Sequence, residues 1–272
     1  MSVGEHAMCN GQVIAAVDAV VPVTLREVQY SFSVYEALRV IRHHAVHLDD
    51  HLRRLENSCR GIRLEHPFSY EDIGTWVRTF ITTDNLESAT LRILLIGGGD
   101  KSLCFITASP LLTYPDSCYE KGVTVRTYVG ERFLPQVKTS NLLMSYLALR
   151  EAQDSQAFEA VFINRDGQVL EGSRSNFFAF RNGVLYTAPA SLVLEGITRD
   201  RVLAAASRLG IPVSFEPPLI TELMDGLYDE AFISSTSMGA MPVSAMDGRS
   251  FSGTYDRTSS ICRLIRQWEL ED

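Results

Sequence analysis

The chain has 272 residues, of which 46% are hydrophobic and 21% charged, and a formal net charge of −8. That is enough apolar material for one large domain or two of ordinary size, and the acidic balance argues against nucleic acid or a membrane surface as partner, since both call for basic faces. No apolar run reaches the length of a membrane span, the start of the chain carries no signal-peptide pattern, and the five widely spaced cysteines fit the reduced thiols of a cytoplasmic protein better than a disulfide framework or a zinc site.

In chain order, residues 12–17 and 33–41 read as β-strands, with Arg42-His43-His44 turning the second into a short return strand over 45–48. Leu48, Leu52, Leu55, Cys59 and Ile62 recur at helical spacing and predict an amphipathic helix over 49–60. Ser69 followed by Asp72 predicts the N-terminal cap of a second helix carrying Ile73, Trp76, Val77, Phe80 and Ile81. Residues 89–96 and 102–108 read as a hairpin around Gly97-Gly98-Gly99. Periodicity breaks over 113–122, which predicts a small N-terminal domain at 1–117, a linker at 118–122 and a larger domain at 123–272. The second part opens with a strand at 123–129 and a helix at 140–153. Two hairpins follow, 158–171 turning at Asp166-Gly167 and 176–187 turning at Asn182-Gly183. A helix at 199–209 ends at Gly210, short strands run to about 252, and a last helix covers 255–268. The pattern is that of a strand-rich α+β protein.

Lysine is scarce: of 25 basic residues only Lys101, Lys121 and Lys138 are lysines. The first two look solvated. Lys138 lies among apolar and neutral residues in Phe133-Leu134-Pro135-Gln136-Val137-Lys138-Thr139-Ser140-Asn141-Leu142-Leu143. An ammonium that loses hydration shifts its pKa toward neutrality and becomes a nucleophilic amine, so Lys138 is the candidate for Schiff-base chemistry; the plainer reading is a lysine paired with a nearby carboxylate. Glu171 ends a hairpin strand and by itself reads as a solvated edge charge. Gly196-Ile197-Thr198-Arg199 opens a helix and Ser234-Ser235-Thr236-Ser237 follows a strand; both offer hydroxyls and backbone N–H groups suited to a phosphate, or simply a cap and a turn. His43, His44, His47 and His51 are read as lying on a turn and a solvated helix face rather than as metal ligands, because Leu48 stands where the glutamate of H-E-x-x-H would be.

Together these pieces resemble the fold-type IV pyridoxal-phosphate enzymes, the class IV aminotransferase family. Its signature is matched by Glu171, Asn176, Phe177 and Phe178, then Leu185, Tyr186 and Thr187, then Leu194, Glu195, Gly196, Ile197, Thr198 and Arg199. The family's H-L-x-R-L helix is matched by His51-Leu52-Arg53-Arg54-Leu55, its lysine segment by Val137-Lys138-Thr139-Ser140-Asn141, and its later phosphate turn by Ser235-Thr236 with Pro242-Val243 beyond. The resemblance implies two domains with pyridoxal 5′-phosphate at their interface, and a homodimer whose partner closes the pocket. It implies that Lys138 forms the Schiff base and moves the substrate Cα proton, and that Glu171 keeps the pyridine nitrogen protonated. It also implies that Arg54, Ile197, Thr198, Ser235 and Thr236 hold the phosphate, with the planar fork of Arg54 suited to a bidentate grip.

The chain departs from the family at Gly239, where a T-x-x-E pattern would place a glutamate, and it lacks an R-x-H motif near 97–104. Tyr35, Arg92 and Arg174 are the candidates for substrate binding; their plainer roles are core, strand-pairing charge and surface. The resemblance leads to an aminotransferase that moves an amino group between a D-amino acid or branched-chain L-amino acid and a 2-keto acid. A lyase on the same scaffold, similar to aminodeoxychorismate lyase, is the alternative, and Tyr35-Glu36 favours the transaminase.

Overall fold

The computed structural model describes residues 3–251 and 253–272, which form two compact units. The first comprises the chain up to residue 112 together with 137–141 and Asp272, and the second comprises 113–136 and 142–271.

The first unit contains β1 (His6–Cys9), β2 (Gln12–Ala15), α1 (Arg26–Gln29), β3 (Ser33–Ile41), β4 (His44–Ala45), α2 (Leu48–Gly61), α3 (Tyr70–Thr83), β5 (Ser88–Ile96) and β6 (Leu103–Ser109). Its strands form one antiparallel sheet in the order β2-β1-β6-β5-β3-β4. Side chains alternate across a strand, so Val34, Glu36, Leu38 and Val40 of β3 face inward with Leu91, Ile93 and Leu95 of β5. There they meet Leu52, Leu55 and Cys59 of α2 and Ile73, Val77 and Phe80 of α3. Each of these large apolar side chains stabilises the fold by about 1.5–3 kcal/mol through burial. The same alternation puts Tyr35, Ala37 and Arg92 on the opposite face. Ser69 caps α3 by accepting the Asp72 N–H at 3.0 Å.

The second unit contains α4 (Asp116–Lys121), β7 (Val123–Val129), α5 (Leu143–Asp154), β8 (Glu159–Ile163), β9 (Val169–Gly172), β10 (Asn176–Arg181), β11 (Val184–Tyr186), α6 (Ile197–Arg208), β12 (Val213–Ser214), α7 (Ile220–Met224), β13 (Glu230–Ser235), β14 (Gly239–Met246), β15 (Arg249–Ser250) and α8 (Asp256–Glu271). The strands pair in the order β10-β13-β14-β7-β8-β9, and Asn176 of β10 pairs with Glu171 of β9, so the sheet closes on itself as a barrel. Parallel neighbours cannot be joined by a tight turn, and α5 makes the crossover between β7 and β8. Val125, Val161, Phe177, Ile233 and Val243 belong to one core, and the alternate residues Phe178, Phe180 and Phe232 pack under α6 and α8 in another. The Phe178 and Phe232 rings stack with centroids 4.8 Å apart.

Several elements differ from the expectations. The first strand, β1, was not foreseen, and residues 16–18 turn into a short 3₁₀ segment instead of continuing β2. The return strand is two residues, His44–Ala45. Residues 116–121 are helical, so most of the stretch expected to be an irregular linker is α4, packed on β14. The segment carrying Lys138 groups with the first unit although the chain around it builds the second. Asn182 and Gly183 both take positive φ, 51° and 79°, as a tight hairpin turn requires.

Candidate active site

The structure assembles the candidate residues in two groups, one in each unit. The first group is built around Lys138. Residues 137–141 lie along the start of β3, with Thr139 bridged to Val34. The Tyr35 N–H donates to the Lys138 carbonyl at 3.0 Å, and the Ser140 N–H donates to the Ser33 carbonyl at 3.0 Å. From the other side the Lys138 N–H donates to Ser58 Oγ of α2 at 3.1 Å. Main-chain bonds to a strand and a helix therefore fix the lysine before its side chain is considered. Its Nζ lies 4.5 Å from the centre of the Tyr35 ring, and the Arg92 guanidinium carbon lies 4.0 Å from the same centre. Both distances are within cation–π range. Two cations around one phenol make this face electropositive, which suits a carboxylate.

Behind that face stands a buried ionic cluster. Arg54 and Ser58 are one helical turn apart on α2, and both are buried. Arg54 donates from Nε and Nη2 to the two carboxylate oxygens of Glu36, at 2.8 and 2.7 Å. His51, 1% exposed, lies 2.7 Å from Glu36 through Nδ1. Burial would raise the Glu36 pKa, but Arg54 and His51 reverse the shift and hold the carboxyl well below its usual range. Burial pushes His51 down, and the Arg54 and Lys138 charges add to this while Glu36 opposes it. His51 is therefore neutral at physiological pH and donates its Nδ1–H to the ionised Glu36. One expectation is corrected here. His51 is not on a solvated face, because it lies on the buried side of α2 opposite an inward carboxylate. The Nε–Nη2 edge of Arg54 meets Glu36. Of the other histidines, His44 and His47 pair with Asp272, at 3.4 and 3.0 Å.

The second group is built on the barrel seam. Glu171 is 5% exposed. One carboxylate oxygen accepts the Leu194 N–H at 3.1 Å and the other lies 3.4 Å from Arg132 Nη1. Across the seam Asn176 donates from Nδ2 to the Leu194 carbonyl at 2.9 Å, so both seam residues hold the loop that leads into α6. That loop ends at Gly196, where a Cβ would come within 2.3 Å of Asn176 Oδ1. Only glycine allows the approach, and glycine also leaves α6 without a side-chain cap. The first-turn N–H groups of Ile197 and Thr198 thus open a helix whose positive end suits an anion. Ser235 and Thr236 form the turn after β13, with Ser235 Oγ 3.3 Å from Ser237 Oγ. Ser234 Oγ, just before the turn, is buried with no hydrogen-bond partner, as is Ser140 Oγ two residues after Lys138. In the second unit an orphaned hydroxyl, an uncapped helix start and a paired seam carboxylate are donors and acceptors of the kind that fit the phosphate and ring nitrogen of pyridoxal phosphate.

Arg174 is tied to the chain around it. Its Nε donates to the buried Glu159 at 3.1 Å and its Nη2 to the Phe158 carbonyl at 3.3 Å. Ser173 Oγ bonds the same Glu159, whose pKa burial raises even though Arg174 and Ser173 oppose the shift. Sequence reasoning passed over Ser58, Arg132 and Glu159, and it did not join Glu36 and His51 in a buried cluster. Glu36 was detectable as a charge in the inward register of an apolar strand; Arg132 sits in an irregular loop and gives no periodic signal. Gly239 now has a physical reason: its φ is +67°, and a Cβ there would lie 3.2 Å from the Arg266 guanidinium.

The sequence pattern described as amino-transferase class IV matches residues 33–246. The D-alanine aminotransferase of Bacillus licheniformis is 30% identical over 253 residues, covering 88% of each chain. The branched-chain-amino-acid aminotransferase of Escherichia coli is 30% identical over 271 residues, covering 90% of this chain and 85% of that one. Among solved structures, the branched-chain aminotransferase of Thermoproteus uzoniensis with norvaline superposes with a TM-score of 0.89 at 27% identity, covering 98% of this chain and 95% of that one. Another branched-chain amino acid aminotransferase, solved with pyridoxamine 5′-phosphate, superposes with a TM-score of 0.91 at 26% identity over 98% of this chain and 94% of that one. No helix among the described residues is long and apolar enough to cross a membrane.

The Glu36 cluster generates a stability prediction. Glu36→Gln removes the carboxylate that faces the buried Arg54 and is expected to cost about 3–5 kcal/mol at pH 7. Because the folded pKa of Glu36 is depressed, its contribution is complete above an unfolded pKa of ~4.3 and is lost as pH falls below it. Urea unfolding at a series of pH values checks both: the variant unfolds at lower urea at pH 7, and the gap to the unsubstituted chain narrows in acid.

Proposed function

The chain belongs to the class IV aminotransferase family and is a pyridoxal-phosphate-dependent transaminase, and we propose that Lys138 is its cofactor-binding lysine and the group that moves the substrate proton. The observation that carries this reading is the double main-chain clamp on Lys138, which delivers its amine to the Tyr35 ring beside Arg92. Pyridoxal phosphate, when bound, supplies an electron sink for the carbanion left at the donor Cα. Lys138 Nζ takes the Cα proton of the amino donor and returns a proton in the second half of the cycle. Glu171 holds a proton on the pyridine nitrogen, and Arg132 and the Leu194 N–H keep its carboxylate in place. Ile197, Thr198, Ser235 and Thr236 bind the phosphate through backbone N–H groups and hydroxyls. Arg92 takes a substrate carboxylate, with Tyr35 as the wall beside it. The donor is a D-amino acid or a branched-chain L-amino acid, the two classes named for the relatives above, and the acceptor is a 2-keto acid.

The same reading makes the enzyme a cytoplasmic homodimer. All five cysteines are unpaired thiols, as a reducing compartment maintains. Leu143, Tyr146 and Leu147 are 67%, 62% and 46% exposed on successive turns of α5, an apolar stripe of the kind that a second copy covers. Light scattering on the purified protein is expected to give twice the chain mass of 30.3 kDa; the chain mass itself would contradict the dimer.

Two further outcomes test the chemistry. The purified protein is expected to show a visible cofactor band that bleaches on adding one of D-alanine, D-glutamate or L-leucine, naming the stereochemical class; Lys138→Ala is expected to lose that exchange by on the order of 10⁴-fold. A band that no amino acid bleaches, or full exchange in Lys138→Ala, sinks the assignment. Glu171→Gln is expected to keep the cofactor while slowing proton transfer by roughly 10²-fold or more, read as a deuterium effect at the donor Cα. An unchanged rate removes Glu171 from the ring nitrogen.

A further inference from the structure

Arg266 lies on α8, outside every motif so far discussed, yet its guanidinium reaches the turn between β13 and β14. Its Nη2 donates to the Ser237 carbonyl at 3.2 Å. Its Nη1 donates to both oxygens of Glu269, at 3.0 and 2.8 Å, which anchors that nitrogen. The same Nη2 lies 3.5 Å from the Tyr119 hydroxyl of α4, and that hydroxyl donates to the Met238 carbonyl at 2.9 Å. Two consecutive carbonyls of the turn are thus tied back to two helices. The Met238 N–H donates to the Ser235 carbonyl at 3.1 Å. Because a peptide group is planar, the Ser237–Met238 unit is held at both ends, by Arg266 at its oxygen and by Ser235 at its nitrogen. Little freedom is left to the hydroxyl-bearing residues 235–237. Gly239 makes room for the contact: its Cβ would meet Cζ, Nε and Nη2 of Arg266 at 3.2 Å, tighter than ordinary contact, and its φ of +67° is one that side chains resist. The guanidinium lies against the turn because this position has no side chain.

We propose that Arg266, admitted by Gly239 and seconded by Tyr119, is a positioning residue for the Ser235–Thr236–Ser237 turn, setting its geometry for the cofactor phosphate without touching the phosphate itself. The proposal rests on the reading that this turn binds phosphate. It locates the tuning of cofactor affinity on α8 and α4, behind the turn.

The test compares pyridoxal phosphate with pyridoxal, which lacks the phosphate, by titrating apo-protein and following absorbance. Arg266→Ala is expected to weaken pyridoxal phosphate binding by about tenfold and leave pyridoxal binding unchanged. Arg266→Lys restores part of the loss, and Tyr119→Phe shows a smaller loss of the same kind. The ³¹P resonance of the bound cofactor is expected to shift in Arg266→Ala. A general structural role weakens both ligands equally, and that result overturns the proposal, as does unchanged pyridoxal phosphate binding. If Arg266→Ala does not fold, Arg266→Lys and Tyr119→Phe decide by the same ratio. Thr236→Val separates the two levels. If it weakens pyridoxal phosphate selectively while the Arg266 variants do not, only the positioning role fails. If it has no selective effect, the turn is not the phosphate site and the underlying reading fails with it.

Discussion

A carboxylate removed from water has to find its counter-charge or its donors in another element, and that requirement organises this chain. Glu36 of β3 is answered by Arg54 and His51 of α2. Glu159 of β8 is answered by Ser173 and Arg174 at the corner between β9 and β10. Glu171 of β9 is answered by Arg132 and by the Leu194 N–H. Glu230 of β13 accepts from both the N–H and the hydroxyl of Thr258 on α8. An unpaired charge at any of these places would cost several kcal/mol. Each pair therefore dictates which helix or loop lies against which strand. Apolar packing makes the units stable; these pairs decide their register.

The chemistry draws on the same requirement. The seam of the barrel holds the Glu171 carboxylate with a backbone N–H on one oxygen and a guanidinium near the other, as the role proposed for it requires. Lys138 reaches its place by main-chain bonds to β3 and α2, so its side chain has only to extend toward Tyr35. The α6 N-terminus stays available for an anion because Gly196 brings Asn176 close and supplies no cap.

Much of this was legible in the sequence. The apolar spacing of α2 and α3, the Ser69 cap, the Asn182-Gly183 hairpin and strands β3, β5, β6 and β7 all follow from local pattern, and the structure has them. Lys138 stood out by scarcity, and Glu171 to Arg199 by a long match of residue types. What escaped depends on tertiary pairing. The β1 strand is four residues long and takes its identity from β2 and β6. The α4 helix is under two turns, too short for a period to register. His51 and Arg54 looked like surface residues because the sequence around them does not reveal that Glu36, fifteen and eighteen positions earlier, points at them. Arg132 and Arg266 act through single contacts from a loop and a helix, and no local rule marks them.

The clamp on residues 137–141 has an evolutionary consequence. Main-chain hydrogen bonds to β3 set the register of that segment, with the Thr139 hydroxyl accepting one further bond from the Asn141 N–H. A lineage can therefore exchange the residues that flank Lys138 while its backbone stays in register with β3. Where the lysine sits is then decided by the strand beside it and not by the identity of its neighbours in the chain.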